Sequence, residues 1–180
     1  MRFPVLPRAA KAVFWAGGLA SLTVLSGCTT TAEQEQLAAI SCPRTAILAQ
    51  AATLTRFGAG AVQNPANAAT KATMSQPTLD CSYNSGEGRV SVDVTIPVRI
   101  TGQGTAIAYF VAVLDSAGNI VSKEIFSANV GSDEYRELSV DDRVITLGQG
   151  KRPYDYQILT GFQLSAAELA YNQAQRNYRP

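Results

Sequence analysis

Between Arg89 and Ile100 the chain reads RVSVDVTIPVRI. Val90, Val92, Val94, Ile96, Val98 and Ile100 alternate there with Ser91, Asp93, Thr95, Pro97 and Arg99. Successive side chains of an extended strand point to opposite faces, so this pattern specifies a strand with one buried and one solvated face. Such a face has to be covered by a second layer. Pro97 lacks a backbone donor, which predicts an edge strand, a bulge or a strand that switches sheets.

The next segment, TAIAYFVAVLD, is apolar at both parities, as a central strand with both faces covered should be. Asp115-Ser116-Ala117-Gly118-Asn119 reads as a turn, with Ile120 to Ala128 pairing back as a hairpin. Tyr135 to Val140 and Arg143 to Leu147 read as two short strands. After GQGKRP, Tyr154, Tyr156, Ile158, Phe162 and Leu164 are expected on one face of a last strand, with Gly161 marking a bulge. The stretch 59–78 carries little apolar weight, and only Lys71 to Ser75 within it reads as an edge strand.

Two helices are expected to flank the strands. Ser41-Cys42-Pro43 offers an N-cap and a first-turn proline. Ile47, Leu48, Ala51 and Leu54 then recur at helical spacing, and Gly58 follows Phe57, which predicts a helix over 42–57. Ser165-Ala166-Ala167-Glu168 has the form of a capping box and predicts a closing helix over 165–177. The expected fold is mainly β: an antiparallel immunoglobulin- or fibronectin-like β-sandwich of about seven strands over 70–164, in one domain spanning 42–180. The ending GFQLSAAELAYNQ is similar to the ends of uncharacterised Gram-negative envelope lipoproteins with a β-sandwich body. That resemblance would extend over much of the chain and implies no activity and no site residues.

The first 27 residues read as an export signal. Arg2, Arg8 and Lys11 lead, no acidic residue precedes Glu33, and an apolar run from Ala12 to Leu25 follows. The run is shorter than the about 20 residues a membrane span needs. It ends in Leu25-Ser26-Gly27-Cys28, which resembles the lipobox of bacterial lipoprotein precursors. The resemblance implies diacylglyceryl transfer to the Cys28 thiol, cleavage before Cys28 and acylation of the new amino group. Each buried methylene contributes about 0.8 kcal/mol, so several chains anchor durably where one holds marginally. Thr29 stands where the sorting scheme of such lipoproteins places Asp for inner-membrane retention, which favours the periplasmic face of the outer membrane. The tether 28–41 is short. Its thirteen residues from Thr29 to Ser41 reach at most about 45 Å, so the folded body is expected close to the bilayer.

The chain carries 15 Lys and Arg against 14 Asp and Glu; without residues 1–27 the balance is 12 against 14, a net of −2. No basic excess is left to neutralise phosphates, so a nucleic-acid partner is not expected. Cys42 and Cys81 remain as an even pair in an exported chain and are expected to form a disulfide. In the chain-entropy model, closing a loop of about 40 residues stabilises a fold by about 4 kcal/mol.

The sequence has no histidine, which removes the Ser-His-Asp triad, the Cys-His pair and imidazole metal ligation. Asp141-Asp142 is the obvious carboxylate pair, but neighbours in a strand diverge and in a turn are solvated. DSAGN at 115–119 has alanine in a calcium-ligand place and lacks the distant Glu, and Gly102-Gln103-Gly104 lacks the strand-to-helix setting of a phosphate loop. No metal and no cofactor is expected. Two clusters have binding chemistry. Tyr171, Gln175 and Tyr178 lie on one stripe of the closing helix, flanked by Arg176 and Arg179, as a candidate partner surface. Arg143, Lys151, Arg152, Tyr154 and Tyr156 gather around the last hairpin as a candidate ligand surface, the alternative being that both tyrosines are core and the cations merely solubilise the turn. The leading expectation is a non-catalytic binding module, lipid-anchored in the outer membrane, for another envelope protein. A carbohydrate- or lipid-binding lipoprotein is the alternative, and a carboxylate enzyme stands third.

Overall fold

The computed structural model describes residues 42–177. The signal 1–27, Cys28, the tether 28–41, Tyr178 and Arg179 therefore lie outside the described residues. Nine strands follow in order: β1 (Arg44–Ile47), β2 (Thr53–Phe57), β3 (Ala68–Met74), β4 (Thr78–Asn84), β5 (Arg89–Gly102), β6 (Thr105–Leu114), β7 (Ile120–Val130), β8 (Tyr135–Thr146) and β9 (Gln157–Phe162). The helix α1 (Ala166–Asn177) closes the described chain. One sheet has the order β1-β9-β6-β7; the other runs β2-β3-β5-β4, with β8 also paired to β5.

The alternating stretch is β5. Its six aliphatic side chains from Val90 to Ile100 are no more than 1 % exposed. They meet Ile107, Tyr109, Val111, Val113, Ile158 and Phe162 of the facing sheet in one core. β8 pairs with β5 from Arg89 to Arg99, while β4 takes Arg89 to Thr95 and β3 takes Val98 to Gly102 on the other side. β5 is therefore central, and the expected edge or sheet switch is not found. Pro97 falls in the gap between β4 and β3, where its carbonyl accepts from the Ser75 N–H at 2.8 Å. A residue's N–H and C=O point the same way in an antiparallel strand, so the missing donor takes nothing from the β8 ladder.

The two short strands expected over 135–147 are one bulged strand. Val92 pairs with Arg143 and Val94 with Val140, so Asp141 and Asp142 together oppose Asp93. Asp142 has a φ of 55°, and its N–H donates to Asp93 Oδ1 at 2.7 Å. The bulge re-aims the pair into solvent.

The helix expected over 42–57 is absent. That stretch forms β1, a 3-10 turn at Ala49–Ala51 and β2, which raises the strand count above the seven expected. Its apolar residues serve different layers instead of one helical stripe. β1 pairs in parallel with β9, placing Ile47 opposite Thr160. Leu54 enters the central core, and Ala51 packs with Phe110 and Ala112 on the far face of β6. β-branched Thr45, Ile47, Thr53 and Thr55 favour the extended form. The disulfide joins Cys42 to Cys81 with Cα atoms 5.6 Å apart. It ties the chain entering β1 to β4 of the facing sheet, not to a helix.

β6 is covered on both faces as its composition requires. Gly161 lies opposite Phe110 in the β6–β9 ladder without a register shift, so it marks no bulge. A Cβ there would lie 2.8 Å from that of Ala51 and 2.9 Å from the Phe110 ring, and glycine leaves the ring its seat. The β6–β7 hairpin turns on Asp115, whose carboxylate accepts from the Ala117 and Asn119 N–H groups, each at 2.9 Å.

Thr160 faces the core at 0 % exposure, and its hydroxyl has no hydrogen-bond partner among the described residues. A buried hydroxyl without a partner costs about 1–3 kcal/mol. Thr160→Val preserves the shape and should raise stability by about 1 kcal/mol in denaturant unfolding; a fall would show that the hydroxyl is satisfied.

Candidate functional site

α1 begins as its sequence predicts. Ser165 Oγ accepts from the Glu168 N–H at 3.3 Å, and Glu168 Oε2 accepts from the Ser165 N–H at 2.7 Å. Each group satisfies a donor that the helix start leaves open. The other carboxylate oxygen, Oε1, accepts from Arg56 Nε at 3.0 Å. Arg56 projects from β2, and its Nη1 also donates to Thr105 Oγ1 at 2.8 Å and the Ala106 carbonyl at 2.7 Å. One guanidinium thus ties α1 to β2 and to the start of β6. Burial opposes the charge of Glu168, but the Ser165 N–H and hydroxyl and the Arg56 guanidinium outweigh it and hold the carboxyl below its ordinary range.

One turn further on, Asn172 Nδ2 donates to the carbonyls of Gln50 at 2.9 Å and Thr53 at 2.7 Å. The half-buried Tyr171 meets Phe57 edge-on, with ring centroids 5.1 Å apart. The helix is therefore docked chiefly by polar groups and one aromatic contact, consistent with its thin apolar face.

Docking in this way leaves a trough between α1 and the outer face of β2 and β3. Leu54 points into the core, so Thr53, Thr55 and Phe57 face outward. Lys71 is the cross-strand partner of Thr55 and is exposed beside it. A cavity of about 710 Å³ is lined by Thr53, Thr55, Lys71, Tyr171, Asn172, Gln175 and Arg176, together with Ala49, Pro65 and Ala68. A second, of about 390 Å³, continues past Tyr171 along Arg56, Phe57, Gly58 and Glu168. Among the described residues, the larger one is lined by two cations and no carboxylate.

Of the candidate partner residues, Tyr171, Gln175 and Arg176 meet in this trough, while Tyr178 and Arg179 lie outside the described residues. The candidate ligand surface does not assemble. Tyr156 is 6 % exposed, and its hydroxyl accepts from the Gly148 N–H at 2.8 Å, fixing the turn before β9. Tyr154 is exposed in a 3-10 turn with the Arg152 guanidinium 6.0 Å from its ring centroid. Lys151 donates to Ser116 on the β6–β7 turn at 3.1 Å. Arg143 lies on β8 and pairs with Glu124 of β7. The two tyrosines thus form no exposed pair, because one of them is core. The sequence reading missed Arg56, Lys71 and Asn172. The expected helix over 42–57 hid the inward parity of Arg56, and the face Lys71 occupies follows from strand register.

Among the described residues no group of three or more His, Cys, Asp or Glu is placed to hold a metal ion, and no helix is long and apolar enough to cross a membrane. No family model matches the sequence, and no curated protein matches it. Among solved structures, a DUF1425 family member from Shewanella sp. pv-4 is similar at a TM-score of 0.35 and 11% identity, covering 62% of this chain and 97% of its own. The variable domain of the AgI/II polypeptide BspA from Streptococcus agalactiae is similar at a TM-score of 0.17 and 9% identity, over 63% and 73% of the two chains.

Glu168→Ala should destabilise the protein by about 1 kcal/mol at neutral pH, as loss of a helix-start contact does. A carboxyl held low when folded stabilises the fold above its unfolded pKa, and that contribution is lost as pH falls through the folded pKa. The difference between wild type and variant in melting should therefore be full at neutral pH and shrink in acid. A difference that does not change with pH would rule out the charged contact as its source.

Proposed function

We propose that this chain is a lipid-anchored envelope protein whose immunoglobulin-like body is a non-catalytic binding module, docking another envelope protein in the trough along α1. The trough itself is the observation that carries the reading. Its larger cavity sets a half-buried tyrosine and an arginine, residue types enriched at protein interfaces, among lysine, hydroxyls and carboxamides. Among the described residues it has no carboxylate pair for acid–base work. The anchor rests on the lipobox resemblance at Cys28, and the short tether supports a membrane-proximal task at the periplasmic face of the outer membrane. The carbohydrate reading loses support because Tyr156 is core and Tyr154 stands alone. A carboxylate enzyme loses support because Asp141 and Asp142 are exposed on a bulge.

A photo-crosslinking residue in place of Gln175, in the full-length chain in cells, tests this directly. One dominant adduct with an envelope protein is expected from Gln175 and not from Tyr154. Cys28→Ser should abolish both lipid incorporation and that membrane-associated adduct. No distinct adduct, or the same adduct from both positions, would contradict the reading.

A further inference from the structure

We infer that the trough along α1 receives an extended, acidic segment of the partner protein. This rests on the binding reading above and adds the chemistry of what is bound. Shape is the first argument. The two cavities share Thr55 and Tyr171, so they form one trench passing Tyr171 on both sides. Their linings follow β2 and the residue after it, from Thr53 to Gly58, about 16 Å at the rise of an extended strand, room for about five residues of a second extended chain.

The free edge of β2 is not what the segment uses. β2 is the end strand of its sheet, and the Ala52 carbonyl accepts from Met74 on the β3 side. Adjacent residues point to opposite sides, so the Thr53 carbonyl faces the free edge, where Asn172 occupies it. The occupant therefore lies on the outer face and is read by side chains. The hydroxyls of Thr53 and Thr55 and the carboxamide of Gln175 each donate and accept, which matches a peptide backbone of either polarity.

Charge supplies the sign. Lys71 on the floor and Arg176 on the last turn of α1 are exposed, and neither joins an ion pair among the described residues. Among the described residues no carboxylate lines the larger cavity, and Glu168 in the second is paired with Arg56, so the field there favours an anionic guest and disfavours a cationic one.

The Gln175 crosslinking chain tests this when Lys71→Glu and Arg176→Glu are added together. Adduct yield should fall about tenfold or more, since two attractive contacts become repulsive. Lys71→Arg with Arg176→Lys should stay within about twofold, because the charge is kept. The partner peptide mapped in the wild-type adduct should be rich in Asp and Glu; melting of the purified variants confirms their fold, and if the reversed variant does not fold, the mapped peptide alone decides. An undiminished adduct in a folded reversed variant, or a neutral or basic mapped segment, would overturn this inference and leave protein binding standing. A lipid adduct at Gln175 would overturn the acidic segment in favour of a headgroup phosphate, whereas no adduct in any background would count against the binding reading itself.

Discussion

The buried face of β5 is the constraint on which the rest of the structure depends. Its aliphatic side chains from Val90 to Ile100 are sealed from solvent, and burying a side chain of that kind contributes about 1.5–3 kcal/mol. Among the described residues no other strand pairs with three partners. β8 runs along one side, while β4 and β3 divide the other on either side of Pro97. The facing sheet packs onto the same residues, and the Cys42–Cys81 bridge ties the two sheets at the chain's entry into β1. With stability concentrated there, α1 is left to be held by other means.

Those means are polar. Arg56 reaches Glu168, Thr105 and the Ala106 carbonyl, and Asn172 reaches two carbonyls around the start of β2. Directional contacts fix where a helix sits without pressing it flat onto the sheet, and the space left over is the trough. An apolar helix face would have closed that space. The trough is thus a consequence of how α1 is docked, and its shape depends on the arginine that ties α1 to β2 and β6.

What the sequence made legible was local. The β5 alternation, the Asp115 turn and the Ser165–Glu168 capping box each depend on residues within a few positions of one another, and each appears where expected. The stretch 42–57 misled because Ile47, Ala51 and Leu54 have helical spacing yet serve two sheets and an outer cluster, a division that only tertiary pairing decides. Asp141 and Asp142 look like a break between strands, and register with Asp93 turns the break into a bulge. In the candidate site, Tyr171, Gln175 and Arg176 were legible because one helix carries them. Lys71 was not, since its place depends on pairing with Thr55, and Arg56 meets a carboxylate 112 positions away.

If α1 is latched to a body that stands without it, the trough has its own local stability. Hydrogen exchange on Arg56→Ala measures this most directly. Amides of α1 beyond its first turn should exchange about tenfold faster or more, while those of β5 keep wild-type protection, because the two regions open separately. Protection lost equally from α1 and β5, or from neither, would contradict the latch.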